Sequence, residues 1–197
     1  ESDRSFLSYS PKYSIITNID REHLDYYHNF SNELEAFDSF MKRTQAGGCV
    51  FACIDDPNLL NMICAYKGRY LSFGLNNAAD IYAKNISFTG LSSDFDCYFK
   101  NKLISRFHLA LGGRHNISNS LAVIALGLEL GINLGCIRGA LERYKGVGRR
   151  LETKFKSDKY LVIDDYAHHP TEIKATLEAI GNLNAGRKIA VFQPHRY

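Results

Sequence analysis

Two short apolar runs constrain this chain more than any other feature. Tyr160-Leu161-Val162-Ile163 and Ile189-Ala190-Val191-Phe192 bracket a segment with helical spacing at residues 173–180. Runs of this length, rich in β-branched and aromatic residues, read as buried strands. Two such strands joined by a helix make a parallel βαβ unit, because parallel neighbours need a long crossover. In open α/β sheets the carboxyl ends of the strands are where ligands bind. Here those ends carry chemistry: Asp164-Asp165-Tyr166-Ala167-His168-His169-Pro170-Thr171-Glu172 after the first, and Gln193-Pro194-His195-Arg196-Tyr197 after the second.

Upstream, residues 13–19 and 49–54 read as strands, and residues 20–29 as a polar, aromatic loop. Phe30, Leu34, Phe37 and Met41 recur at i, i+4, i+7 and i+11, the stripe of an amphipathic helix. Asp56-Pro57 signals a helix start, with an acidic N-cap and proline at the first helical position, and a strand should follow at 70–73. Residues 80–111 alternate instead. Phe95, Cys97 and Phe99 share one face, as do Phe107, Leu109 and Leu111, with a hairpin turn expected at Asn101-Lys102. This predicts a small antiparallel sheet inserted into an α/β domain. Leu121, Ile124, Ala125 and Leu128 then mark a helix that Gly131 stops, and Ile137, Ala140, Leu141 and Tyr144 mark another. The glycine-rich, basic stretch at 145–150 reads as a hinge between domains.

Composition excludes some classes. Net charge is +3, too weak to argue for nucleic acid, and no apolar stretch is long enough to span a bilayer. The five cysteines are irregularly spaced, which favours buried small hydrophobes in a reducing cytoplasm over zinc or disulfides. No Walker A, G-x-S-x-G or H-E-x-x-H pattern occurs.

Four constellations could carry chemistry. His23, just past a strand end, can ligate a metal or hydrogen-bond locally. Asn116 and Asn119 lie three apart at a helix start beside His115. Their amides suit a purine edge, although Asn116 could equally be an N-cap. Arg149 and Arg150 at the hinge suit a phosphate clamped by two domains, or are solvated charges. Asp165, His168 and His169, with His195 and Arg196, could bind metal or orient a nucleophile, while Pro170 and Glu172 look like a helix cap.

Together these segments resemble the ATP-dependent muramyl ligases of peptidoglycan synthesis. The resemblance is carried, in order, by residues 1–6 (ESDRSF), 17–25 (TNIDREHLD), 113–119 (GRHNISN), 146–150 (GVGRR), 164–172 and 192–197. The 193–197 motif is more similar to the alanine-adding branch than to the murein tripeptide-recycling branch. The resemblance implies an α/β fold: a central ATPase domain at 1–148, mostly parallel sheet with helices plus a small antiparallel sheet. The start of a Rossmann-like, amino-acid-binding domain would follow at 149–197. It implies an ATP-dependent acid–amino-acid ligase of the cytoplasm, with UDP-N-acetylmuramate and L-alanine as substrates, Mg2+ as cofactor, and neither nucleic acid nor membrane as partner. It implies Glu1 and His23 as magnesium ligands, and His115, Asn116 and Asn119 around adenine and ribose. Arg149 and Arg150 would meet phosphate, with Arg150, Asp165 and His168 catalytic. Tyr166 and His168 would face the muramyl group, and His195 and Arg196 the alanine carboxylate. The family's phosphate loop would precede Glu1, so residues 1–197 alone are expected to be inactive. A non-catalytic nucleotide-binding module and a metal hydrolase built on His23, Asp165, His168 and His169 are the competing readings.

Overall fold

A computed structural model describes residues 3–76 and 78–194. Its centre is a six-stranded sheet in the order β1 (Tyr13–Ile16), β2 (Cys49–Cys53), β3 (Tyr70–Gly74), β4 (Ile81–Thr89), β5 (Ser92–Phe99), β6 (Lys102–Leu109). The first four strands pair in parallel and the last three antiparallel. The antiparallel strands expected as a small inserted sheet form one edge of the same sheet as the parallel strands, joined where Phe73 and Gly74 pair with Ile81 and Tyr82. The hairpin turn falls one residue earlier than expected. Lys100 and Asn101 both have positive φ, the geometry whose twist matches that of the flanking strands.

All five residues of β2 are buried, so this strand is covered on both faces, and its sequence is a continuous apolar run as a central parallel strand requires. Helix α2 (Phe30–Lys42) buries Phe37 and Met41, and the Asn29 side chain caps it by accepting from Asn32 N–H at 2.9 Å. Helix α3 (Pro57–Ala65) starts at the Asp56 cap read from the sequence. Helix α4 (Arg114–Glu129) lies over β2, β3 and β4 and buries Ile117, Leu121, Ile124 and Ala125. Gly131, at φ 69°, closes it: its N–H reaches Leu128 O and that of Ile132 reaches Gly127 O. Helix α5 (Leu134–Arg143) packs on β6.

Three expectations are corrected. The first strand stops at Ile16, because Ile19 N–H bonds to a side chain and not to a neighbouring strand. The segment at 20–29 contains a one-turn helix, α1 (Leu24–Tyr27), with Tyr27 fully buried. Only half of the βαβ unit forms. Strand β8 (Leu161–Asp164) leads into helix α6 (Pro170–Gly181), but β8 pairs antiparallel with β7 (Glu152–Lys156), a strand the sequence reading missed. Residues 189–192 adopt no strand and stay exposed, Val191 at 95%, since no described strand lies beside them. Of the cysteines, Cys49, Cys53 and Cys97 are buried as expected, and Cys64 and Cys136 are exposed. Burial pushes the Cys97 thiol up to about 12, so it behaves as a small hydrophobe.

Candidate functional site

Two strand ends meet. The loop after β1 carries Asp20, Glu22 and His23, and the loop after β8 carries residues 165–169. Asp20 Oδ1 accepts from Arg21 N–H at 2.8 Å, while Oδ2 lies 3.4 Å from His169 Nδ1. A hydrogen bond from the Thr171 side chain holds the Asp20 carboxyl below the usual carboxylate range against its partial burial. Glu22 Oε1 stands 3.8 Å from His168 Nε2. The two loops therefore face each other through two acid–imidazole pairs. His23 occupies the left-handed region at φ 55°, and its carbonyl accepts from Tyr26 and Tyr27 N–H to start α1.

Glu172 organises the second loop. Its Oε2 accepts from the backbone N–H of His168 at 3.2 Å and of His169 at 3.4 Å, and its Oε1 accepts from Arg150 Nη1 at 3.1 Å. Burial raises its pKa, but these donors outweigh that and leave it below its ordinary value. Position N3 of α6, with Pro170 at N1, makes Glu172 a helix-capping residue as the sequence suggested. The cap also tethers the hinge arginine, which the sequence alone did not reveal.

The arginines converge on Tyr166. Arg149 Cζ lies 4.8 Å and Arg150 Cζ 6.0 Å from its ring centroid, and the His168 ring meets the same tyrosine edge-on at 5.2 Å. Arg149 also pairs with Asp164 at 3.4 Å. Asp165 accepts from Leu151 N–H and Ala167 N–H, each at 2.8 Å, which pins the hinge to the loop. His168 Nδ1 is 3.1 Å from Tyr166 O; a carbonyl can only accept, so Nδ1 carries the proton in that contact.

The start of α4 forms the third side. Burial lowers the His115 pKa, partly opposed by Asp165 and aided by Arg150, so these three expected site residues are electrostatic neighbours. Asn116 is not the N-cap: that position is Gly113, and Asn116 donates from Nδ2 to Gly112 O at 2.8 Å. Gly113, at φ 97°, lies under α6, where a Cβ would come 3.1 Å from that of Ala179. Asn119 is exposed one turn further on.

The structure thus brings together Arg149, Arg150, Asp165, Tyr166, His168 and His115, and adds Asp20, Glu22 and Glu172. Glu1, His195 and Arg196 lie outside the described residues. Among the described residues, no three His, Cys, Asp or Glu side chains converge to hold a metal ion. That leaves the hydrolase reading of His23, Asp165, His168 and His169 without a ligand cluster. No described helix is long and apolar enough to cross a membrane.

Comparison with known proteins matches residues 2–127 to the family model of the Mur ligase middle domain and residues 149–196 to that of the Mur ligase glutamate ligase domain. The UDP-N-acetylmuramate–L-alanine ligase of Pelotomaculum thermopropionicum is 42% identical over the whole chain, and the ligase of the same name from Desulfatibacillum aliphaticivorans is 43% identical. The chain spans about 43% of the length of each of these relatives. Among solved structures, the UDP-N-acetylmuramate–alanine ligase of Thermotoga maritima superposes with a TM-score of 0.79 at 30% identity, covering 92% of this chain and 40% of that one.

Proposed function

This chain belongs to the Mur ligase family, and on that basis we propose that it is part of an ATP-dependent ligase joining L-alanine to UDP-N-acetylmuramate. The observation that carries this is the 42–43% identity, along its entire length, to ligases of that name. Residues 1–148 would be the body of the ATP-binding domain and 149–197 the opening of the amino-acid-binding domain. The nucleotide substrates imply a cytoplasmic reaction.

The reaction has two steps. The muramyl carboxylate oxygen attacks the γ-phosphorus of ATP, ADP leaves, and an acyl phosphate forms. The neutral alanine amine then attacks the acyl carbon, the C–O bond to phosphate breaks, and the nitrogen gives up one proton to become the amide N–H. Anions gather at each stage, so fixed cations are needed where charge develops. Arg149 and Arg150 supply them. Both guanidinium groups lie over the Tyr166 ring, and pairing of Arg149 Nε with Asp164 and of Arg150 Nη1 with Glu172 holds them there while leaving further N–H donors for phosphate oxygens. His168 would take the amine proton at Nε2, since Nδ1 is committed to Tyr166 O, with Glu22 Oε1 3.8 Å from that nitrogen. His115, Asn116 and Asn119 would flank adenine and ribose; Asn116 spends one N–H on Gly112 and keeps its carbonyl for a base amino group. His195 and Arg196 would meet the alanine carboxylate.

Magnesium fits this donor set as an ion carried mainly by phosphate and water, because Mg2+ seldom uses an all-protein cage and the described residues build none. Glu1 and His23 would be its protein ligands, and the bound ion would neutralise charge on the transferred phosphoryl group.

The test is made on the full-length protein with ATP, Mg2+ and UDP-N-acetylmuramate. Adding alanine should release phosphate and raise the mass of the UDP-sugar by one alanyl group. Product formed with a tripeptide but not with alanine would move the protein to the recycling branch.

A further inference from the structure

Ile19 is the last residue before the loop that meets the second strand end, and its peptide groups are gripped from an unexpected direction. Its N–H donates to Asp56 Oδ2 at 3.0 Å, and its carbonyl accepts from Asn58 Nδ2 at 3.2 Å. Both side chains belong to the start of α3. The other oxygen of Asp56, Oδ1, accepts from Asn58 N–H at 2.8 Å and Leu59 N–H at 2.9 Å, which is the helix cap. One carboxylate therefore does two jobs with two oxygens. Capping needs only one acceptor, which a serine or threonine hydroxyl can provide. The second oxygen and the Asn58 amide serve the loop, not the helix.

What they hold matters for the neighbouring residues. The Ile19 side chain is buried at 3% in the core, which fixes where the residue sits but not how its peptide planes turn. Asp20 follows directly, with Oδ2 3.4 Å from His169 Nδ1, and Glu22 reaches His168. A rotation about Ile19 would swing both acids away from their imidazoles.

We propose that Asp56 and Asn58 are positioning residues for the ligase reaction: they lock the Ile19 peptides so that Asp20 and Glu22 meet the His168–His169 loop in register. The kinetic half of this statement rests on the function proposed above; the mechanical half does not.

The variants follow from the division of labour. Asp56→Ser keeps one oxygen for the cap and deletes the loop contact. Asp56→Asn keeps a cap oxygen and turns an amide donor toward the Ile19 N–H. Asn58→Asp replaces the donor to Ile19 O by an acceptor. In the full-length protein, amide exchange of Ile19 and Arg21, whose N–H groups bond to Asp56 and Asp20, should quicken about tenfold in each, with the melting temperature within ~2 °C of the parent because α3 stays capped. Alanine-dependent turnover should fall roughly 10- to 100-fold, the scale expected when reacting groups are misplaced by about an ångström, with the alanine KM changed less than about threefold. Unchanged exchange at Ile19 and Arg21 overturns the positioning role. Faster exchange with undiminished turnover overturns its place in the reaction. A parent protein that makes no alanyl product defeats the ligase reading instead, and the exchange data still decide whether the clamp exists.

Discussion

Glu172 and His115 show how much a single side chain's surroundings add to its identity. A glutamate three residues into a helix is an ordinary cap; here the same carboxylate also holds Arg150. If Arg150 is a phosphate-binding cation, Arg150→Ala should lower alanine-dependent turnover by ~100-fold or more, the scale of losing one preorganised charge-stabilising group. Glu172→Gln should cost less, because it frees the arginine's orientation but leaves the charge in place. Steady-state rates of the two variants decide the order, and equal losses would remove the tether from the argument. His115 makes a pH prediction. Burial holds its pKa below 6.5, so the native state binds fewer protons than the unfolded chain in that window. Its contribution to stability is present above pH 6.5 and is lost as pH falls toward the lower native value. Thermal unfolding between pH 8 and pH 5 should show a decline that His115→Gln makes shallower. The motif letters singled out His115 and Arg150 as candidates, and the structure makes them electrostatic neighbours. Asp20, Glu22 and Glu172 hid among common loop and cap residues, and their partners lie far away in sequence.

At the scale of elements, legibility followed local rules. Helix α3 begins where Asp56-Pro57 says it should, α2 follows its apolar stripe, and α4 ends at Gly131. Local chemistry decides these boundaries, and nothing distant overrides it. Gly131 gives a clean check: no atom lies within 4 Å of a built Cβ, so only the positive φ opposes a side chain. Gly131→Ala should destabilise by about 1 kcal/mol, measured by denaturant unfolding. A neutral result would mean that the α4–α5 connection readily adopts another conformation. Strand pairing was less legible. The alternation at residues 80–111 identified the strands of β4 to β6 but not their junction with β3, because alternation reports which face is buried and not which edge is shared. Strand β7 went unread for a related reason: Glu152-Thr153-Lys154-Phe155-Lys156 is largely exposed, and an exposed strand carries little apolar pattern.

The whole molecule is defined by how the two loops close on each other. Asp20 meets His169 and Thr171, Glu22 meets His168, and α6 crosses the start of α4 above Gly113. Asp20→Ala should loosen this closure and speed amide exchange at the first turn of α6, with β2 and β3 left as protected as before. Exchange unchanged at Thr171 and Glu172 would show that closure does not depend on this acid. By itself the sequence determined the α/β class, the caps at Asp56 and Glu172, the strand at 49–54 and the residue types that carry the family resemblance, because each is written in spacing a few residues wide. Only the tertiary structure decided that Asp56 serves a loop 37 residues away, that Glu172 holds the hinge arginine, and that the acids after β1 face the imidazoles after β8. Those contacts depend on where the sheet carries its strand ends, and a local pattern holds no information about a partner that only folding brings near.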